Sequence, residues 1–176
     1  FPDLLMLSGL GNKLFMNNGE GTFSDKKTAS NLNWKREDRT AGEPRQPIIA
    51  DFDNDGNQDV FISYVNDEHR IYRGNGDGTF IDMTAESTFG GIGTVGGPST
   101  ALDFNSDGLL DVYIGYFGDY LHAISPTLAR KNKNGLPNKL FKNLGGFKFD
   151  EVKLSGAEDH GWSQSIGHSD IDGDNL

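Results

Sequence analysis

The sequence contains no cysteine, which removes disulfide scaffolds, thiolate metal sites and cysteine nucleophiles from consideration. It has no apolar run near the ~20 residues that a membrane-spanning helix needs, so membrane insertion is not expected. Basic residues are also scarce. Only 16 Lys and Arg stand against 26 Asp and Glu, and the net charge of −10 argues against nucleic acid as a partner. Glycine is plentiful, at 24 of 176 residues, yet 12 Phe, 5 Tyr and 2 Trp supply the core that a flexible Gly-rich linker lacks.

The acid is concentrated in a repeat. Asp51-Phe-Asp53-Asn-Asp55-Gly56-Asn57-Gln-Asp59 and Asp103-Phe-Asn105-Ser-Asp107-Gly108-Leu109-Leu-Asp111 share the pattern D-x-[DN]-x-D-G-x-x-D. Asp170-Ile-Asp172-Gly-Asp174-Asn175 begins a third copy, and Asp3 matches the ninth position of another. Removing the eleven Asp of these boxes from the 26 acids leaves 15 against 16 bases. The acidity is therefore local, as bound cations would require.

A second box follows the first at each repeat. Asn12-Lys-Leu-Phe15-Met16-Asn-Asn-Gly-Glu-Gly-Thr-Phe23 matches His69-Arg-Ile-Tyr72-Arg73-Gly-Asn-Gly-Asp-Gly-Thr-Phe80, and Asn138–Phe149 carries the same frame. Two aromatics lie eight residues apart around a Gly-rich centre that supplies the positive φ of hairpin turns. Short β-prone runs follow each ninth-position Asp (4–7, 60–65, 112–116), and their continuous apolar character predicts strands covered on both faces. With the two strands of the aromatic box and a strand before each acidic box (47–52, 99–104, 163–169), each repeat makes four antiparallel strands. That is the pattern of a propeller blade.

These boxes resemble the FG-GAP/VCBS repeats of integrin-α-like β-propellers, and the N-K-L-F-x-N-x-G-x-G-T-F wording is similar to the UnbV/ASPIC group. The expected fold is all-β: about three blade-equivalents of a larger, seven-bladed propeller whose remaining blades pack against this one. Residues 1–30 are assigned strands two to four of one blade, 46–86 and 98–153 complete blades, and 163–176 the first strand and partial acidic loop of the next. The segments 31–46, 85–97 and 117–137 are expected to be loops outside the repeat.

Calcium takes six to eight oxygen ligands, and a nine-residue loop can wrap it through positions one, three, five and nine with the position-seven carbonyl. The expected sets are Asp51, Asp53, Asp55, Asn57 (carbonyl) and Asp59, then Asp103, Asn105, Asp107, Leu109 (carbonyl) and Asp111. Asp170, Asp172 and Asp174 would serve the partial loop, and Asp3 the first. An EF-hand continues into a helix with Glu at position twelve, whereas Ile62 and Ile114 stand there. The competing reading is an Asp- and Gly-rich turn without metal. Against it, four uncompensated carboxylates in nine residues repel one another.

No catalytic signature stands out. A Ser163/Ser165–His168–Asp170 triad can be drawn, but Asp170 has a better claim as a metal ligand, and no G-x-S-x-G elbow accompanies the serines. Trp34 and Trp162 could be ligand platforms or buried aromatics. In an up-and-down blade, the acidic loops and Gly-rich turns share one rim and the variable connections share the other. Long non-repeating loops are where recognition usually resides. The insertion 117–137, with Tyr120, Leu121, His122, Leu128 and Arg130, is the expected site, and its excision over 118–136 is expected to leave stability nearly unchanged.

The expectation is a non-catalytic, calcium-stabilised binding or scaffold module that contacts a protein or glycan through the rim opposite the acidic loops. The resemblance implies an extracellular, cell-surface or periplasmic location. Two alternatives remain open at this point, the non-catalytic propeller of a secreted lyase- or phospholipase-type enzyme and a lectin-like carbohydrate-binding propeller.

Overall fold

The computed structural model describes residues 1–26, 30–36, 38, 42–122 and 133–173. Its strands are β1 (Leu4–Met6), β2 (Lys13–Asn17), β3 (Phe23–Asp25), β4 (Glu43–Ala50), β5 (Asp59–Val65), β6 (Arg70–Gly74), β7 (Phe80–Asp82), β8 (Gly96–Leu102), β9 (Asp111–Tyr116), β10 (Lys139–Asn143) and β11 (Phe149–Val152). They form three antiparallel meanders, β1-β2-β3, β4-β5-β6-β7 and β8-β9-β10-β11. The architecture is all-β, as a propeller segment requires.

Strand β5 shows how the sheets stack. All seven of its residues are buried, because successive side chains point to opposite faces and both faces are covered. Val60, Ile62 and Tyr64 join Leu14, Leu32, Tyr72 and Phe80 in one core. Phe61 joins Ile71, Val112, Ile114, Tyr116, Phe141 and Phe149 in the other. The middle sheet is thus shared between two cores.

Two core residues come from segments read as variable loops. Leu32 is fully buried, and Phe89 packs its ring against Phe61, Phe141 and Phe149 at centroid distances of 4.9, 5.1 and 4.5 Å. Residues 43–46 and 96–97, also read as loop, extend β4 and β8. Each extension contains a bulge, between Pro44 and Pro47 in β4 and between Gly96 and Ser99 in β8. β4 and β8 are edge strands, where a proline whose nitrogen faces away from the neighbouring strand costs no ladder hydrogen bond.

The strand expected over 163–169 does not form. The segment lies against the third sheet, with Ser163 N–H donating to the Tyr116 carbonyl (3.1 Å) and Thr100 Oγ1 2.8 Å from His168 Nδ1. Among the described residues its backbone joins no strand ladder.

The first residue of each aromatic box has a common task. Asn12 Oδ1, His69 Nδ1 and Asn138 Oδ1 accept the backbone N–H of Ser8, Tyr64 and Tyr116 at 3.4, 3.1 and 3.0 Å. Because His69 Nδ1 is the acceptor, its proton resides on Nε2, which lies 3.4 Å from Tyr116 Oη in the neighbouring sheet. His69 is buried, and that burial, with a smaller contribution from Lys139, pushes its pKa down to about 4.

The unfolded chain therefore binds a proton between pH ~6.5 and ~4 that the folded chain rejects, and stability falls as the pH is lowered through that window. By pH 4.5 the loss from this group reaches about 2–3 kcal/mol. His69→Asn, which installs the residue type present at positions 12 and 138, should remove that part of the pH dependence. Urea unfolding of both proteins at pH 7 and pH 4.5 measures the difference; parallel losses in the two would refute the assignment.

Candidate functional site

The acidic loops 51–59 and 103–111 join β4 to β5 and β8 to β9, and their backbones repeat each other. Position four is left-handed in both, at φ 58° for Asn54 and for Ser106. Position six is Gly56 at 87° and Gly108 at 86°, a conformation that a Cβ would strain. Asp51 accepts N–H groups of Asp55 and Gly56 (3.1 and 2.9 Å), and Asp103 accepts those of Asp107 and Gly108 (3.1 and 2.8 Å). The third position adds a second acceptor, with Asp53 and Asn105 taking the same Asp55 and Asp107 N–H groups at 3.3 and 3.0 Å. Each loop is thereby shaped by its own acidic side chains.

The ninth position does something else. Asp59 Oδ2 accepts Phe52 N–H at 2.8 Å and Oδ1 accepts Gly74 N–H at 2.8 Å. Asp111 repeats this with Phe104 N–H (3.2 Å) and Asn143 N–H (2.7 Å), and Asp3 Oδ1 accepts Asn17 N–H at 2.8 Å. One carboxylate thus ties the entry of its loop to the end of the sheet's third strand. Asp59 and Asp111 are fully buried, and desolvation raises the pKa of each.

In the first loop the structure brings Asp51, Asp53 and Asp59 together, with one carboxylate oxygen from each within 4.8 Å of the others. A trio of hard oxygen donors on a preformed loop fits calcium. Asp55 is not in that trio. Its Oδ1 accepts Asn57 N–H (2.8 Å) and its Oδ2 accepts from Arg73 Nη2 (2.7 Å), while Arg73 Nε stands 3.0 Å from Asp53 Oδ2. The hydrogen bond from Asn57, followed by that from Arg73, lowers the Asp55 pKa. In the second loop Leu109 N–H donates to Asp107 Oδ1 (3.1 Å) and Lys142 Nζ lies 3.1 Å from Asp107 Oδ2, again lowering the carboxylate's pKa. Asn105 supplies an amide where the first loop has a third-position carboxylate.

Asp170, at the start of the third copy, accepts Gly173 N–H at 2.7 Å, and Gly173 takes the left-handed position-four conformation at φ 75°. Asp172 is exposed. Asp174 lies outside the described residues, as do Leu128 and Arg130 of the insertion. The drawn triad is not assembled. Ser163 Oγ donates to Asn138 Oδ1 (2.9 Å), and His168 Nδ1 pairs with Thr100 Oγ1.

Arg73 and Lys142, five residues into the aromatic boxes, are functional neighbours that motif reading passed over. The available signal was position. Met16, Arg73 and Lys142 are equivalent, so two of three copies place a base beside the acids. Asn143 was also missed; its Nδ2 donates to the carbonyls of Leu110 (3.0 Å) and Phe52 (2.8 Å), joining one acidic loop to the next. Asn54 Nδ2 reaches Gly108 O at 2.9 Å for the same effect.

On the opposite rim, Trp34 is a packing residue. Its ring lies edge-on to Tyr64 and carries the Arg70 guanidinium 3.7 Å from its centroid. The Trp162 ring lies against Phe117 at a centroid distance of 5.0 Å, tilted by 51°, and its Nε1–H donates to Asn134 Oδ1 at 2.9 Å. Tyr120 Oη accepts from Arg45 Nη2 at 2.5 Å, and Gly135 N–H donates to His160 O at 3.0 Å. Both ends of the insertion are therefore tied into the fold, and excising 118–136 removes packing as well as a surface loop. Leu121 is exposed there, and His122 pairs with Asp119 at 2.7 Å.

A family model described as an FG-GAP-like repeat matches residues 1–62 and, in a second copy, 51–114. A comparison with curated proteins found no match. Both matched stretches contain the loop 51–59, which makes the basic side chain over that loop the informative residue to change. Arg73→Met, the residue type that Met16 supplies in the first sheet, removes the guanidinium paired with Asp53 and Asp55. Were calcium held at 51–59, calorimetric titration should show its affinity rising roughly two- to fivefold in the variant. Unchanged affinity would mean that Arg73 does not contest the site.

Proposed function

The chain belongs to the FG-GAP-like repeat family of propeller-like protein-interaction modules, and from that premise we propose that it is a calcium-stabilised binding module of an extracellular, cell-surface or periplasmic protein. The observation that carries the calcium reading is the convergence of Asp51, Asp53 and Asp59 on a loop whose backbone recurs at 103–111. Calcium bound there would offset the mutual repulsion of the carboxylates and clamp β4 to β5. It would stabilise the fold because the oxygens converge only in the folded chain.

The location is supported by the family, whose repeats typically occur in extracellular proteins. Millimolar calcium outside the cytosol also suits loops of this type. Among the described residues, no helix is long and apolar enough to cross a membrane. FG-GAP repeat domains are generally non-catalytic, and we assign this chain a binding role through the rim opposite the acidic loops. There the connections are unlike one another, whereas the acidic rim repeats the same two turns. The similarity of the aromatic boxes to the UnbV/ASPIC group supports reading the chain as part of a larger propeller.

Calcium should raise the melting temperature of the protein in a concentration-dependent way, by the equivalent of about 3 kcal/mol at a hundredfold excess over Kd. Asp53→Ala should abolish the tighter binding event in calorimetry and most of that shift. Lack of both heat and thermal shift in millimolar calcium would overturn the metal assignment.

A further inference from the structure

One face of the first sheet is left open among the described residues. Leu4, Met6, Phe15 and Phe23 share it, and Leu4, Met6 and Phe23 are 54, 43 and 44% exposed. Their counterparts by repeat position are Val60, Ile62, Tyr72 and Phe80 in the second sheet and Val112, Ile114, Phe141 and Phe149 in the third. Those eight are buried, and each set is the half of a core that meets the preceding sheet. The first sheet thus presents the same half-core to a partner of the same build. β1 is also an edge strand, which can template a further strand.

The complementary half stands at the other end of the stack. Residues 163–169 run where the first strand of a following sheet would lie. Ser163 N–H donates to Tyr116 O, and its counterpart Gly96 in β8 lies in the same way against Tyr64 O. Just beyond, Ile171 is 94% exposed, whereas its counterpart Phe52 is 1% exposed and shares a core with Phe61, Ile71 and Phe149. One sheet earlier, the counterparts of those three are Leu5, Leu14 and Phe80. All three line a cleft of about 440 Å³ between the first and second sheets, together with Met16 and Ile49. The chain therefore has a knob without a hole at one end and the corresponding hole at the other. The second sheet, with a core on each side, separates the two, so one molecule cannot bring them together.

Resting on the propeller-segment reading, we propose that two copies of this chain associate head to tail, each giving its residues 163–169 to the other as a fourth strand beside β1. Ile171 of the donor fills the cleft of the acceptor, where burial recovers the hydrophobic stabilisation that its exposed position forgoes. The acceptor's Leu4, Met6, Phe15 and Phe23 close on the donor's third sheet, where Phe104 and Tyr113 occupy the places of Phe52 and Phe61. By the register of Pro47 with Ile62 and of Ser99 with Ile114, Ile166 of one copy stands opposite Met6 of the other. Such a contact joins two different surfaces, so it either closes into a ring or grows without limit. Two copies supply six four-stranded sheets, within the ~4–8 of closed propellers, and a third copy would exceed that range. The closed pair is the expected assembly.

Analytical ultracentrifugation of the 176-residue chain from ~10 μM to ~0.5 mM should show a monomer–dimer equilibrium. Ile171→Asp should weaken it roughly tenfold or more, with an unchanged melting temperature at concentrations where both proteins are monomeric. The chain has no cysteine, so introduced thiols report the contact cleanly. Under oxidising conditions, Met6→Cys mixed with Ile166→Cys should give a disulfide-linked dimer that neither variant gives alone. Leu10→Cys, 94% exposed on the same sheet end, should not replace Met6→Cys. Association that is indifferent to Ile171→Asp, self-linking of either single variant, or growth beyond the dimer overturns the head-to-tail pair. A chain that remains monomeric at ~0.5 mM and forms no mixed disulfide also overturns it; if its calcium-dependent thermal shift persists, the calcium-stabilised module stands without the pairing.

Discussion

The buried carboxylate at the ninth loop position is the interaction on which the rest of the structure depends. Asp59 accepts one backbone N–H from the start of its loop and another from the end of β6, and Asp111 does the same between its loop and β10. A buried peptide N–H left without a partner costs about 1–3 kcal/mol, so loss of either carboxylate would unbalance two segments at once. The geometry also explains why burial of an acid is tolerated. Both oxygens receive hydrogen bonds, although desolvation still raises the pKa.

Around this fixed point the remaining acids of the loop are in contention. Asp53 and Asp55 are approached by Arg73, and Asp107 by Lys142. A cation bound at Asp51, Asp53 and Asp59 would have to share Asp53 with the guanidinium. The first sheet has Met16 at this place. The repeats thus share a backbone while differing in electrostatics, which a motif written only over the acids does not capture.

Much of the architecture was legible because the signals were local and repeated. The ninth-position Asp marks the start of β5 and β9, and the Asn-Gly and Gly-x-Gly turns mark the hairpins. Long-range placement was not legible. Phe89 sits in a connector with no periodicity, and only the stacked sheets show that its ring fills the space between Phe61 and Phe149. The bulges at 44–47 and 96–99 were hidden because their prolines and glycines read as loop. The segment 163–169 failed in the other direction: its apparent strand pattern has no described neighbour to pair with. Of the candidate site, the identity of the acids was readable, but their division into a trio, a strut and ion-paired partners depends on β6 and β10.

The repeat in the sequence and the sheet in the structure are out of phase. The matched stretch 51–114 starts in the acidic loop after β4 and ends inside β9, so it holds three strands of one sheet and the opening two of the next. Because β5 gives alternate side chains to two cores, a unit framed this way carries a joint rather than a blade. The stretch takes in the junction between two sheets, with its loop, the Asp59 strut and the Asn54 contact to Gly108. Cutting the chain at those same boundaries would strip β5 of β4 and leave one core open. The bounds of the sequence repeat and the natural seam for dissection are different places in this molecule.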